Sequence, residues 1–210
     1  MTCDLELVGR QSSHYTRVAR IFAHELGLTP RFQPIFQLMS LDTQQFANNP
    51  ALKLPILKID GVPLFGTLNI CRQLARQAGA TDSVYWPEDA ADLLQMNAHE
   101  LVAHGMAVQV EIVAHEFVEK RPPDAVSIKR RQSLLSTLTW LDAHWASIQA
   151  GFPSGKLSYL EASLFCLLSH LPFRNPIDLG GFTQLNAFAA AFGGRPSAVA
   201  TPYQFDQPPT

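Results

Sequence analysis

The sequence predicts a two-part chain, an α/β first part ordered βαβαββα through about residue 80 and an all-helical bundle beyond it. Three observations carry this. Short apolar or alternating runs, bounded by turn residues, recur throughout the first part. Past residue 88 such runs stop, and apolar residues instead return every three or four positions, the period of a helix face. Charge divides at the same place: eight basic against five acidic residues through residue 80, and eight against thirteen afterwards. With 210 residues and 47% hydrophobic content, the chain can bury one sizeable core or two small ones.

The elements follow in order. Leu5-Glu6-Leu7-Val8 alternates and is closed by Gly9, a first strand. Ser12-Ser13 then precedes a helical run with Val18, Ile21, Phe22, Glu25 and Leu26, stopped by Gly27 with Pro30 beyond; hydroxyl caps and glycine stops are helix punctuation. Arg31 to Phe36 reads as a second strand. Asp42 can cap a short helix through Ala47, which Asn49-Pro50 breaks. Leu54, Ile56, Leu57 and Ile59 form a third strand whose start holds Pro55. A proline lacks the N–H a ladder needs and is tolerated there, and Leu54–Pro55 is a candidate cis bond. Asp60-Gly61 is a strong hairpin signal. A second short apolar piece follows, and Thr67 opens a helical pattern with Ile70, Leu74 and Ala75. With a right-handed crossover between the first two strands, this is a thioredoxin-like arrangement.

Gly79 to Asp89 is a connector by its turn residues, with Tyr85-Trp86 as linker packing or a cleft lining. Leu94, Ala98, Leu101, Gly105, Val108 and Ile112 mark one stripe of a long helix running to Lys120, stopped by Pro122-Pro123. Gly105 inside it costs about 1 kcal/mol against alanine and suggests close helix approach, within the bundle or across a dimer. A second helix carries Leu134, Leu138, Leu141, Trp145 and Ile148, a third Leu160, Leu164, Leu167 and Leu171, and a last one covers Thr183–Phe192. Ser158-Tyr159-Leu160-Glu161 reads as a capping box. After Thr201 the chain is polar, proline-rich and loose.

Bulk properties exclude several classes. A formal charge of −2 and a pI near 6.4 give no basic footprint for nucleic acid. No run reaches the roughly 18–20 apolar residues of a membrane span, and the first residues lack a signal layout. Cys3, Cys71 and Cys166 are odd in number and form no CxxC, so no disulfide framework is expected and a reducing cytoplasm is the default. His99-Glu100 and His104 stand five residues apart, which does not place two ligands on one helical face; no metal site is expected.

The stretch Asn49-Pro50-Ala51-Leu52-Lys53-Leu54-Pro55-Ile56-Leu57, then Asp60-Gly61, Leu64, Thr67 and Ile70, resembles the glutathione S-transferase family, whose pattern is Asn-Pro-x-x-Lys-Val-Pro-x-Leu, Asp-Gly, Leu-x-Glu-Ser-x-x-Ile. Ser13-His14-Tyr15-Thr16-Arg17 through Arg20-Ile21 resembles the serine-type bacterial members, with His14 for their proline. The Ser158–Glu161 box and Arg195-Pro196-Ser197 extend the resemblance along the chain. It implies a glutathione-binding domain over residues 1–80, a linker at 81–87 and a helical domain over 88–203. It also implies glutathione as co-substrate, a small apolar electrophile held in the cleft against the long helix, detoxifying transferase activity and a homodimer.

Within that resemblance Ser13, or Ser12 one residue earlier, would stabilise the glutathione thiolate; both hydroxyls can equally be plain helix caps. Leu54 would pair its backbone with the cysteinyl unit beside Pro55. Thr67 would hold the γ-glutamyl carboxylate at a helix start, and Lys53 belongs to the same binding segment. Two residues depart from the pattern. Gly66 stands where the family has Glu or Asp, and Leu52 where some relatives have a histidine. They favour a rival, a non-catalytic binding or regulatory protein of the same fold. A thiol-disulfide oxidoreductase is disfavoured, because no cysteine begins the first helix.

Overall fold

Strand β1 (Leu5–Gly9) lies inside a four-stranded mixed sheet ordered β2-β1-β3-β4, formed with β2 (Arg31–Pro34), β3 (Ile56–Ile59) and β4 (Val62–Phe65). β1 runs parallel to β2 and antiparallel to β3, and β3 antiparallel to β4. Helix α1 (His14–Glu25) makes the crossover from β1 to β2, and α2 (Thr67–Gln77) follows β4 and packs on α1. The computed structural model describes residues 3–174 and 177–208. It divides into two units, Met1–Asp82 with Pro196–Thr210, and Ser83–Arg195. The first is thioredoxin-like and the second helical.

The first unit forms for reasons the residues supply. Asp60 and Gly61 have φ of 49° and 82°, and positive φ at both central residues is the turn that matches strand twist. Glu6 is buried on β1 yet compensated, because the register sets it beside Arg31 on β2 and Lys58 on β3. It pairs with both, the lysine at 2.8 Å. Burying that carboxylate unpaired would cost several kcal/mol. The expected short helix after Asp42 is a 3-10 turn, Thr43–Phe46, ended by Ala47 in the left-handed region. Its Phe46 is fully buried with Val8, Ile35 and Ile56, and Leu52, Leu54 and Phe65 pack around them. A buried phenylalanine contributes about 1.5–3 kcal/mol.

In the second unit, β5 (Val84–Tyr85) pairs with β6 (Leu157–Ser158), a short ladder the sequence did not signal. Helices α3 (Leu93–Val113, extended by a π turn through Val118), α4 (Ala125–Ala150), α5 (Tyr159–Arg174) and α6 (Thr183–Gly193) complete it. Leu93–Val118 has a mean hydropathy of 1.2 over its most apolar window and is long enough to cross a membrane; here it packs on α4 and α5. Gly105 explains the close approach, since a Cβ there would lie 2.9 Å from Leu167 Cδ2. Tyr85 and Trp86 are buried packing residues. The Gln95 carbonyl oxygen accepts from the Tyr85 hydroxyl (2.7 Å) and the Ala91 amide (2.9 Å), tying the linker to α3.

His99, half-buried on α3, carries a pH dependence. Burial pulls its pKa from 6.5 down to about 4, against the opposing influence of Glu88. Between those values the unfolded chain binds a proton that the folded protein does not. Stability is therefore expected to fall by roughly 1–3 kcal/mol as pH drops from 6.5 to 4, and His99→Gln is expected to flatten that slope. Urea unfolding across the range checks it.

Candidate functional site

The sheet's register brings three chain segments to one end. Val8 is paired with Ile56, and Ile56 with Phe65. The chain leaving β1, the chain entering β3 and the chain leaving β4 therefore all sit at that end. They carry Ser12-Ser13, Lys53-Leu54-Pro55 and Gly66-Thr67.

On the first segment, Ser13 is the N-cap of α1, and its hydroxyl oxygen accepts from the Thr16 amide at 3.3 Å. That leaves the hydroxyl proton to donate elsewhere. Ser12 precedes the cap. Gly9 ends β1 against α1 so closely that a Cβ would meet Thr16 Cγ2 at 2.6 Å and Oγ1 at 2.7 Å. His14 is buried with its ring 4.5 Å from that of Tyr15. Tyr15 is half-buried, and burial raises its phenol pKa, so it stays a neutral packing group.

On the second segment, the Leu54–Pro55 bond is cis. Pro55 is buried, and the Leu54 side chain packs on the Phe46 cluster. Leu54 precedes Ile56, the first residue of the β3 ladder, by two positions. Lys53 is exposed, and its carbonyl accepts from Asn49 Nδ2 at 2.8 Å. Asn49 also takes the Ala51 amide at 3.0 Å, so this buried side chain shapes the approach to the cis bond. Leu52, where a polar residue would suit a ligand, packs on the core cluster with φ of 53°.

On the third segment, Gly66 is the N-cap of α2 with φ 87° and ψ 129°, and no side chain caps the helix. A side chain would be strained at that φ, which gives a backbone reason for glycine here. Thr67 is the first helical residue. Sequence reasoning missed Asn69, whose Nδ2 donates to the Phe65 carbonyl at 3.1 Å and lies 3.6 Å from where a Gly66 Cβ would stand. Only the backbone placed it there; an asparagine within a helix carries no such signal.

An amide array at a helix start, a hydroxyl at a second helix start and an unladdered strand entry share this end; such groups are of the kind that can hold a carboxylate and an extended backbone. Residues 7–82 match the family of the glutathione S-transferase N-terminal domain. This part of the chain is similar to a glutathione S-transferase N-terminal domain. Over the whole chain the fold is also that of glutathione transferases. A family member from Pseudomonas fluorescens with bound glutathione superposes at a TM-score of 0.75 with 22% identity, covering 95% of this chain and 99% of that one. A transferase from Methylobacterium radiotolerans in complex with glutathione sulfonate gives 0.76, 18% identity, and 98% and 97% coverage. One from Methylobacillus flagellatus with glutathione bound gives 0.75 and 19%, covering 94% and 98%. Among curated proteins none matches the sequence.

His104 Nε2 lies 2.6 Å from Ser133 Oγ, beside an open groove of about 610 Å³ between α3 and α4. Among the described residues no three His, Cys, Asp or Glu side chains gather as metal ligands would.

Proposed function

We propose that the protein is a glutathione transferase: it binds glutathione at this sheet end, holds the sulfur as a thiolate and adds it to an apolar electrophile. The observation that carries the reading is the register-driven meeting of the α1 cap, the Leu54 backbone and the uncapped α2 start. Ser13 donates a hydrogen bond to the sulfur and keeps its proton, while the thiol proton leaves to solvent. The thiolate then forms an S–C bond with the electrophile, and the bond that breaks carries its electron pair to a leaving group or, on addition, to an adjacent atom that takes a proton from solvent. Leu54 pairs its N–H and C=O with the cysteinyl unit, with Lys53 beside it and Pro55 fixing the turn. Thr67 and the first α2 amides hold the γ-glutamyl carboxylate. A homodimer in a reducing cytoplasm completes the reading; Cys3, Cys71 and Cys166 stand outside any disulfide, which is compatible with that compartment. Retention on immobilised glutathione, followed by a conjugation assay, tests it: neither retention nor turnover defeats it.

Gly66 favours the rival, a binding or regulatory protein without turnover, because it supplies no carboxylate for the γ-glutamyl ammonium. Asn69, whose Nδ2 is held by the Phe65 carbonyl, is the residue we propose to compensate, its Oδ1 being the acceptor for that ammonium. Hydrogen bonds to charged groups are worth about 1.5–3 kcal/mol, so Asn69→Ala is expected to weaken glutathione binding about ten- to a hundredfold by calorimetry. Asn69→Asp is expected to bind at least as tightly as the wild type.

A further inference from the structure

The C-terminal tail folds back onto the loop that precedes Ser13. Short helix α7 (Pro196–Val199) packs on α1, and Thr201 Oγ1 donates to the Ser197 carbonyl at 2.8 Å. The Arg17 guanidinium donates to the Ala198 carbonyl at 3.2 Å and lies 4.4 Å from the centre of the Tyr203 ring. Asp206 comes last, with its side chain only 2% exposed. Its Oδ2 accepts from the Gln11 backbone amide at 3.0 Å, and its Oδ1 from Gln11 Nε2 at 3.1 Å. Arg10 Nε is 4.0 Å away, and Gln204 Nε2 donates to Gln11 Oε1 at 2.7 Å. Gln11 is thus held at its backbone and at both ends of its amide, next to Ser12 and two residues before Ser13.

We infer that Asp206 is a positioning residue for the thiolate-stabilising hydroxyl, acting through Gln11 and the 10–13 loop. A carboxylate bound to a backbone N–H and a side-chain amide forms charge-assisted hydrogen bonds, which are stronger than neutral ones. Buried as it is, this carboxylate is left uncompensated if the loop moves away, so the tail and the loop hold one shared geometry. A donor to a thiolate needs such fixing, because stabilisation is lost when the oxygen drifts from the sulfur. The tail thereby becomes part of a site otherwise made of residues in the first third of the chain. This inference rests on the transferase reading above.

The test compares the wild type with Asp206→Ala, Asp206→Asn and Gln204→Ala in the full chain. Three quantities are read: glutathione affinity by calorimetry, the pH profile of conjugation, and amide exchange at Gln11 and Ser13. Asp206→Ala is expected to speed exchange at Gln11, raise the apparent thiol pKa by about one unit and lower kcat about tenfold, with KM for glutathione changed less. Asp206→Asn keeps an acceptor for the Gln11 amide and is expected to recover part of the loss; Gln204→Ala, which spares the carboxylate, is expected to do less harm than either. Faster exchange with an unmoved pH profile and kcat overturns the inference, leaving a purely structural strap. Unchanged exchange overturns it as well. Failure of the wild type to bind glutathione at all defeats the transferase reading beneath it, and appears in the calorimetry before any variant is compared.

Discussion

In the Ser13→Ala protein, kcat/KM for conjugation is expected to fall about ten- to a hundredfold at neutral pH. A free thiol has a pKa near 8.5, and lowering it by about two units requires roughly 2.7 kcal/mol of preferential interaction with the thiolate. On the proposed reading the Ser13 hydroxyl would supply that preference as a hydrogen-bond donor, its oxygen accepting from the Thr16 amide. The sign of the pH dependence follows. Without the donor the thiol pKa returns toward 8.5, so the deficit is greatest below that value and narrows above it, where the thiolate forms unaided. The alanine also removes a helix cap worth about 0.5–2 kcal/mol of stability, so melting must be followed alongside rate. Loss of stability alone would not narrow with rising pH. Ser12→Ala, which leaves the cap in place, is expected to keep most of the activity; the reverse ranking would move the role to Ser12.

The second large effect belongs to Gly9. A Cβ there overlaps two Thr16 side-chain atoms at 2.6 and 2.7 Å and a third at 3.2 Å. Thr16 is itself fully buried and accepts from the Arg10 amide at 3.4 Å, so it has little room to retreat. Overpacking of this kind typically costs about 1–3 kcal/mol, occasionally more, and Gly9→Val is expected at or above the top of that range. The strain falls on the junction of β1 with α1, so glutathione affinity is expected to drop together with the denaturation midpoint. Thr16→Ala removes the two closest atoms. The double variant Gly9→Ala/Thr16→Ala is accordingly expected to be less destabilised than the sum of its single changes. Simple additivity would show that the contact is not the cause.

The strands of the first unit, the hairpin at Asp60-Gly61 and the leucine stripes of α4 and α5 were legible because each rests on local pattern. Burial of Leu134, Leu138, Leu141, Trp145 and Ile148 matches their spacing. The stripe of α3 was read partly on the wrong residues. Leu101 is only half-buried, while Gln95, Val102 and Gln109 are buried. Hydropathy cannot foresee a buried amide such as Gln95, whose partners Tyr85 and Ala91 are fixed by the linker's path. The Ser158 half of the expected capping box forms, its hydroxyl accepting from the Glu161 amide at 3.2 Å. The Glu161 carboxylate instead accepts from Gln149 at 3.2 Å, and burial raises its pKa; a box reads neighbours in sequence, and Gln149 lies on another helix. The tail beyond Thr201 looked loose because it is polar and proline-rich. Its order comes from Asp206 on Gln11 and Tyr203 on Arg17, contacts across nearly the whole sequence that no local pattern encodes.

The candidate residues Ser13, Pro55 and Thr67 stand at element boundaries, which the cap hydroxyl, the proline and the start of a helical pattern mark in the sequence. What could not be read was the register that joins them, or the amide of Asn69 beside Gly66.

The most direct measurement is the ultraviolet thiolate absorbance of glutathione bound to the protein, titrated against pH. A thiolate band that persists at neutral pH in the wild type and shifts to about pH 8.5 in Ser13→Ala is the expected result. A bound thiol that titrates as it does in free solution, in both proteins, would contradict thiolate stabilisation at this sheet end.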